Sequence, residues 1–210
     1  MKPQKRRLGR PDQQGSEDLV RHIVDTATRL FIDKGYAAVS IEQIAVAAQS
    51  GKPTIYRHFG SKEGLFMAVI DRQTQRLLEL ARTVESGSSD PMDALKSTCR
   101  FLLDFVLHPD LVSLYRTLVA EVGRFPDLGE HVLENCAAPI KAVNLRLLRA
   151  AMDAGVLREM DTELAELILG SVITGGPIQQ ALLGSRRFER PEDRDAYFET
   201  AWTIFVRGAA

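Results

Sequence analysis

Residues 52–62, with the sequence KPTIYRHFGSK, gather cations, hydroxyl groups and an imidazole on one short stretch. Ile55 and Phe59 are four residues apart, so in a helix they share one face, which we expect to pack inward. Lysine and arginine neutralise phosphate charge, and hydroxyl groups bond to base edges and phosphate oxygens. The pattern therefore predicts a helix that contacts a nucleic acid. The side chains left to face outward or sideways are Lys52, Thr54, Tyr56, Arg57 and His58.

The preceding residues predict the elements that position this helix. After Ser40, the sequence IEQIAVAA has an apolar stripe at helical spacing, and Ser40 with the glutamine three residues later forms a capping box. Residues 49–51, QSG, are the expected turn, and Pro53 suits the first turn of the next helix. With a longer helix that ends near Gly35, this order predicts a helix-turn-helix, whose second helix enters the DNA major groove.

The charge distribution agrees with a nucleic-acid partner for one part of the chain. The 210 residues have a formal net charge of -1, but residues 1–62 contain 11 Lys and Arg against 6 Asp and Glu. The remainder contains 16 Lys and Arg against 22 Asp and Glu. A basic N-terminal part joined to an acidic remainder indicates that the first contacts a polyanion and the second avoids it. An N-terminal arm is expected to follow the minor groove or the DNA backbone through Lys2, Lys5, Arg6, Arg7 and Arg10.

The rest of the chain also has helical spacing, and no alternation typical of strands reaches a useful length. We therefore predict an all-α fold of about nine helices. A helix over residues 128–154 is expected to kink at Pro139, and an apolar helix over residues 164–183 is disturbed by Gly-Gly-Pro at residues 175–177. A last helix is expected over residues 191–207.

Several classes of function are disfavoured by what the sequence contains. No run reaches 18 apolar residues, and the basic N-terminal residues are followed by no apolar segment, which predicts a cytoplasmic protein with no membrane partner. The four histidines are dispersed, and the sequence contains no HExxH, glycine-rich phosphate loop or CxxC, so we expect no enzyme, metal or cofactor. Cys99 and Cys136 are expected to be free thiols, with a redox switch between them as the alternative.

Residues 16–67 resemble the N-terminal domain of the TetR family of transcriptional regulators. The segments TRLFIDKGYAAVSIEQIAVAA, TIYRHF and SKEGLF carry this resemblance, and GRP at residues 9–11 resembles the basic segment that precedes the domain in many members. The resemblance implies a basic arm at residues 1–15 and a helix-turn-helix DNA-binding domain at residues 16–62. It further implies that residues 63–210 form a helical domain that binds a small molecule and dimerises.

The residue types and the resemblance together predict the DNA contacts. Arg57 has an alternative role, since it could pair with an acidic neighbour. Gln49 stands where members of the family have a glycine, Gly51 where a serine would cap the helix, and Pro53 where a small residue is common. The predicted DNA-contacting residues are Arg10, Ser40, Gly51, Lys52, Pro53, Thr54, Tyr56, Arg57, His58 and Lys62.

Residues 111–132, LVSLYRTLVAEVGRFPDLGEHV, resemble the AefR-like subtype of C-terminal domain. A ligand cavity is expected between the helices that begin near Pro91, Asp110 and Leu128. An apolar cavity with few polar groups suits a largely apolar effector, although aromatic residues at helical spacing also serve as ordinary core. The candidate lining residues are Phe101, Phe105, Tyr115, Leu118, Phe125, Ile140 and Asn144.

The last two predicted helices are apolar over more of their circumference than one core face needs. Two such helices from each of two copies would form a four-helix interface, and a thicker core within one chain is the alternative. The candidate interface residues are Ile168, Val172, Gly175, Leu182, Phe198, Trp202 and Phe205. Together with these residues, the resemblance to the TetR family implies a ligand-responsive repressor that binds a palindromic double-stranded operator as a homodimer and is released by a small molecule. The alternatives are a redox-sensing regulator and an interaction protein that no longer binds DNA.

Overall fold

A computed structural model describes residues 13–87 and 90–209. Within them the chain is all-α, without strands, which confirms the predicted fold class. The α-helices are α1 (Gln13–Lys34), α2 (Ile41–Ala47), α3 (Lys52–Phe59), α4 (Lys62–Ser86), α5 (Pro91–Val106), α6 (Pro109–Glu121), α7 (Pro126–Val132), α8 (Ala138–Asp153), α9 (Thr162–Gly170), α10 (Gly176–Leu182) and α11 (Pro191–Ala209). The arm residues Lys2, Lys5, Arg6, Arg7 and Arg10 lie outside the described residues.

Two π-helical turns reduce these segments to nine continuous helices in the described part of the chain. Leu133–Ala137 joins α7 to α8, and Ser171–Gly175 joins α9 to α10. Each turn ends two residues before a proline, Pro139 or Pro177. A proline lacks the backbone N–H and its ring clashes with the carbonyl four residues earlier, so a locally wider turn accommodates it. The helices therefore continue through both positions where the sequence predicted a disturbance.

The chain forms two compact units, unit 1 (Met1–Val69) and unit 2 (Ile70–Ala210). Helix α4 begins in unit 1 and continues into unit 2. The sequence placed the boundary at residue 62, seven residues earlier. Unit 1 extends further because Leu65, Phe66 and Val69 of α4 are fully buried, and their burial ties the first turns of α4 to the N-terminal core.

An aromatic cluster stands at the centre of unit 1. The ring centroid of Phe66 lies 5.3 Å from that of Phe31 and 5.2 Å from that of Tyr36, with edge-to-face geometry in both pairs. Ile44 of α2 and Ile55 of α3 are fully buried as well. Such aromatic pairs contribute about 0.5–1.5 kcal/mol beyond their buried area. The core thus holds α1, α2, α3 and the start of α4 in one unit.

The turn between α2 and α3 is a Schellman motif with an unusual residue. The Ser50 backbone N–H donates to the Ala45 carbonyl at 2.9 Å, and the Gln49 N–H donates to the Val46 carbonyl at 3.2 Å. Gln49 has φ +48°, in the left-handed region that glycine occupies without strain. A non-glycine residue there costs about 1–2 kcal/mol. The sequence resemblance to the family had placed Gln49 at this glycine position.

The connection between α3 and α4 is a tight turn that two glycines make possible. Gly60 has φ +73°, and its N–H caps α3 by donating to the Tyr56 carbonyl at 2.9 Å. The chain then turns so sharply that a Cβ on Gly64 would lie 2.0 Å from the Phe59 carbonyl oxygen. No side chain fits at that distance, so the absence of a Cβ at Gly64 sets how closely the end of α3 approaches α4.

Unit 2 has one apolar core, built from α5, α8, α9 and α11 with the second π-helical turn. Phe198 and Trp202 of α11 are buried in it with their rings stacked at 6.1 Å. Ion pairs link α11 to α5 at the edge of this core, including Lys96 Nζ to Glu199 Oε2 at 2.8 Å. Both observations place the apolar face of α11 against its own chain.

We predict that Gly64→Ala destabilises the protein by about 2 kcal/mol or more, because the new methyl group forces the Phe59 carbonyl to move. Gly208→Ala is the matched control, since Gly208 is an exposed helical glycine and its new methyl group would have nothing within 4 Å. That substitution should stabilise α11 by up to about 1 kcal/mol. Urea unfolding of both variants measures the difference, and equal effects would contradict the close approach.

Candidate nucleic-acid interface and ligand cleft

Helix α3 presents a polar face to solvent. Ile55 is fully buried and Phe59 is half-buried, so these two residues hold the helix on unit 1 as the spacing predicted. Thr54 is half-buried, and Tyr56 is 50% exposed. The remaining residues of the face are exposed in the structure, namely Lys52, Pro53, Arg57 and His58.

The start of α3 lacks a side-chain cap. Gly51 occupies the N-cap position with extended backbone angles, φ -78° and ψ 141°, and makes no side-chain hydrogen bond. Its carbonyl accepts from the Thr54 N–H at 2.9 Å, and Pro53 stands in the first turn, where no N–H is needed. The backbone therefore begins the helix normally, while the phosphate contact that a serine would offer at this position is missing.

Two of the cations on α3 have partners that could be exchanged for phosphate. Lys52 Nζ donates to Glu42 Oε1 of α2 at 3.0 Å, and both side chains are exposed. An exposed ion pair contributes about 0–1 kcal/mol, so replacing the carboxylate by a phosphate loses little. Arg57 Nη2 lies 3.4 Å from His58 Nε2, so the contact found for this arginine is a histidine and not the acidic neighbour considered from the sequence.

Lys62 connects the start of α4 to the α1–α2 turn. Its ammonium donates to the Tyr36 carbonyl at 2.5 Å and lies 4.0 Å from the centroid of the Tyr36 ring. The neighbouring carboxyl group of Glu63 has a lowered pKa, mainly because the Glu63 backbone N–H donates a hydrogen bond to it. Partial burial raises this pKa, whereas hydrogen bonds with Ser61 and Tyr36 and the charge of Lys62 lower it further. The helix N-terminus is therefore already supplied with a carboxylate, and Lys62 has a structural role besides any phosphate contact.

Ser40 is committed to the predicted capping box. Its Oγ accepts from the Gln43 N–H at 3.2 Å, and its own N–H donates to Gln43 Oε1 at 2.9 Å. The residue is exposed, so a DNA contact would use an atom that already caps α2. Arg10, the remaining DNA-contact candidate, lies outside the described residues.

Unit 2 contains a narrow apolar cleft between α4, α5 and α8. Three predicted ligand residues, Phe101, Ile140 and Asn144, line it. The other lining residues are Leu77, Leu78, Ala81, Thr98, Leu102 and Val143. Sequence reasoning missed Thr98, although a polar residue on the buried face of α5, beside Leu95 and Cys99, is the signal that could have indicated it.

The other predicted ligand residues do not line this cleft. Phe105 packs near Phe101 with ring centroids 6.1 Å apart, and Leu118 is buried in α6. Tyr115 is 41% exposed, and Phe125 is half-buried beneath the Arg124 guanidinium, 5.1 Å from its ring centroid. These four side chains serve as core or surface in this arrangement of the helices.

A second, wider cleft lies beside α6, the end of α10 and the start of α11. Two arginines line it, but both guanidinium groups serve the fold. Arg116 Nε donates to the Leu182 carbonyl at 3.0 Å, and Arg194 Nε donates to Asp104 Oδ1 at 2.7 Å. Both guanidinium groups therefore connect neighbouring helices.

Both cysteines are buried free thiols. Burial raises the pKa of the Cys99 thiol to about 12, and the charge of Glu166 adds to the effect. Burial also raises the pKa of the Cys136 thiol, while a hydrogen bond with Thr74 acts in the opposite direction. Since the thiolate is the reactive form, these environments disfavour oxidation of either cysteine.

The predicted dimer residues divide into two groups. Phe198, Trp202 and Phe205 are buried in the core of unit 2, and Val172, Gly175 and Leu182 are partly buried. Ile168 is exposed on α9, in a stripe with Leu164 and Leu167 at helical spacing. Ile204 of α11 is exposed as well. The exposed stripe of α9 and Ile204 are therefore candidates for a contact with a partner, and the three aromatic residues of α11 belong to the chain's own core.

Membrane-spanning helices and metal sites are both absent from residues 13–87 and 90–209. No helix there combines the length and apolar character needed to cross a bilayer. Among the same residues, no three His, Cys, Asp or Glu side chains are grouped in a way that could hold a metal ion.

Comparison with known proteins agrees with these two units. Residues 23–69 match the family model of bacterial regulatory proteins, tetR family, and residues 93–208 match the C-terminal domain of AefR-like transcriptional repressors. The structure of a TetR-family transcriptional regulator from Mesorhizobium loti superposes with a TM-score of 0.82 at 24% identity, over 92% of this chain and 97% of that one.

Two curated relatives match a shorter segment. The transcriptional activator FasR of Mycolicibacterium smegmatis is 30% identical over 49% of this chain and 44% of its own length. The transcriptional repressor NicS of Pseudomonas putida is 33% identical over 46% of each chain. The match thus spans less than half of either relative. The family and these relatives are transcriptional regulators and not enzymes. Because the second family model alone covers more than half of its residues, the chain belongs to the TetR family of bacterial transcriptional regulators, with a C-terminal domain of the AefR-like type.

Proposed function

We propose that the protein is a homodimeric transcriptional repressor that binds an inverted-repeat operator and is released from it by a small, largely apolar effector. The observation that carries this proposal is the exposed polar face of α3, held on unit 1 by Ile55. Two copies of such a face, related by a two-fold axis, match two half-sites of an inverted repeat. We place the protein in the cytoplasm, where it has access to chromosomal DNA.

The roles on α3 follow from its geometry. Lys52 and Arg57 supply charge for phosphates, and the Tyr56 hydroxyl reaches a phosphate oxygen or a base edge. Thr54 and His58 are the candidates for base contacts, since a hydroxyl, a methyl group and an imidazole all suit major-groove edges. Pro53 and Gly51 position the backbone at the start of the helix, and Lys62 adds charge next to it.

The dimer is proposed to use the exposed stripe Leu164, Leu167 and Ile168 of α9, with Ile204 of α11. The three residues of α9 share one face of the helix at helical spacing, and a contiguous exposed apolar patch is typical of an interaction surface. A second copy that covers them with the same residues forms an isologous contact. This interface replaces the one that the sequence assigned to Phe198, Trp202 and Phe205.

The effector is proposed to bind in the cleft between α4, α5 and α8. Helix α4 supports a coupling role because it is continuous from Lys62 to Ser86 and supplies Leu77, Leu78 and Ala81 to the cleft. A ligand that binds one arrangement of the cleft more tightly than another shifts the protein towards it, and DNA and ligand then affect each other reciprocally. We favour repression because the matching C-terminal family is described as repressors and NicS is a repressor.

Selection of bound duplexes from a random library by the purified protein tests the function. We expect an inverted repeat to be enriched, because two copies of α3 contact two half-sites. A population without any enriched sequence would contradict the proposal and favour the interaction-protein alternative.

On the selected duplex, Tyr56→Ala should bind at least several-fold more weakly with unchanged thermal stability, whereas Tyr115→Ala in unit 2 should bind like the wild type. Unchanged affinity of Tyr56→Ala in a gel-shift titration would remove this residue from the interface.

Leu167→Glu tests the dimer surface. Leu167 is 62% exposed, so a charge there does not disturb the monomer but places two buried carboxylates in the proposed interface. We expect monomers in sedimentation velocity and loss of binding to the full inverted repeat. Leu133→Glu is the matched control, since Leu133 is similarly exposed on the first π-helical turn. A Leu167→Glu variant that stays dimeric would refute this assignment of the interface.

A further inference from the structure

The cleft between α4, α5 and α8 contains two buried polar atoms that find no partner in the described part of the chain. They are Thr98 Oγ1 and Asn144 Oδ1, and the residues that carry them are 5% and 3% exposed. Both residues line the cleft. Buried polar atoms are paired in the great majority of cases, and an unpaired one is destabilising. A pair of them in one cleft points to a partner that the chain does not supply.

The orientation of Asn144 is set by its second contact. Its Nδ2 donates to Glu166 Oε1 at 3.2 Å, and a carboxylate can only accept, so the amide nitrogen faces Glu166. The amide oxygen is therefore the atom that stays unpaired, and it is an acceptor. Thr98 offers a hydroxyl, which can donate and accept. A group that donates one hydrogen bond and accepts another would satisfy both residues.

The remainder of the cleft excludes charged ligands. Its other seven lining residues are apolar, and none of the lining residues is ionisable. An ion placed there would lose its hydration without gaining a counter-charge. The environment of the neighbouring Cys99 agrees, since burial raises its pKa to about 12. The carboxylate of Glu166, which is bonded to Asn144, repels an anion further.

We propose that this narrow cleft widens to bind an uncharged apolar molecule that carries a hydroxyl group. The hydroxyl donates to Asn144 Oδ1 and accepts from Thr98 Oγ1, while the apolar body packs against Phe101, Ile140 and their neighbours. An ether or ketone only accepts and leaves Asn144 Oδ1 unpaired, and a carboxylate has no donor and carries charge. The assignment rests on the proposed function in so far as this cleft is the effector site.

A matched series of probes tests the chemistry by calorimetric titration of the full chain. The series is 1-naphthol, naphthalene, 1-methoxynaphthalene and 1-naphthoate, with decahydro-1-naphthol to distinguish an alcohol from a phenol. We expect 1-naphthol, decahydro-1-naphthol or both to bind at least about tenfold more tightly than the hydroxyl-free members, which is the effect of one well-made buried hydrogen bond. Equal affinities across the series would overturn the proposal, and so would the absence of binding by both hydroxyl probes.

Two substitutions connect the preference to the polar pair. Thr98→Val keeps the side-chain shape and Asn144→Leu removes the acceptor, so both should reduce the hydroxyl preference to about threefold or less. Thr98→Val should also raise the melting temperature of the ligand-free protein, because it removes an unpaired buried hydroxyl. Thr74→Val is the matched control: Thr74 is equally buried and donates to the Ile70 carbonyl at 3.2 Å, so its loss should lower the melting temperature and leave the preference unchanged. A Thr98→Val variant that keeps the full preference would overturn the role of Thr98.

Failure of this inference is distinguishable from failure of the proposed function. Duplex selection uses the ligand-free protein and reports on DNA binding alone. If an inverted repeat is enriched but the probes show no hydroxyl preference, the regulator proposal stands and the ligand chemistry is overturned. If 1-naphthol binds with the expected preference but leaves DNA affinity unchanged, the ligand chemistry is supported and the effector role of the cleft is overturned.

Discussion

The carbonyl oxygen of Phe59 occupies the space that a side chain on Gly64 would fill, only 2.0 Å from the position of its Cβ. This close approach, reached through the positive φ of Gly60, decides how α3 ends and how α4 begins. Ile55 can then be buried on the same core as Phe66, and the opposite side of α3 is left in solvent. The proposed DNA contacts and the path of the chain into α4 both follow from this turn.

Local features of unit 1 could be predicted from the sequence because each depends on a few neighbouring residues. The capping box of Ser40 and the left-handed position of Gln49 are of this kind. Long-range packing could not be predicted in the same way. The apolar character of α11 suggested a dimer surface, yet Phe198 and Trp202 are covered by other helices of the same chain. Periodicity shows that a helix has an apolar face but does not show which partner covers it.

The ligand cleft also depends on long-range packing that the sequence alone does not reveal. Phe101, Ile140 and Asn144 were candidates because of their type, and the structure brings them together with Thr98, which the sequence alone did not single out. The chemistry of the cleft depends on two groups: the Glu166 carboxylate, which orients Asn144 of α8, and the hydroxyl of Thr98 on α5. Glu166 lies 22 residues from Asn144 in the chain, so only the fold reveals that the amide oxygen is the atom left for a ligand.

The salt dependence of binding to the selected inverted repeat tests most directly whether α3 is the DNA-contacting helix. The slope of log affinity against log salt counts the phosphates neutralised, at about 0.9 per phosphate. We expect Lys52→Gln to lower the slope by about 0.9 for each half-site, because the Lys52 ammonium exchanges Glu42 for a phosphate. Lys96→Gln, which removes a similarly exposed ion pair of α5 in unit 2, should leave the slope unchanged. An unchanged slope for Lys52→Gln, or equal losses for both variants, would contradict a DNA-contacting role for α3.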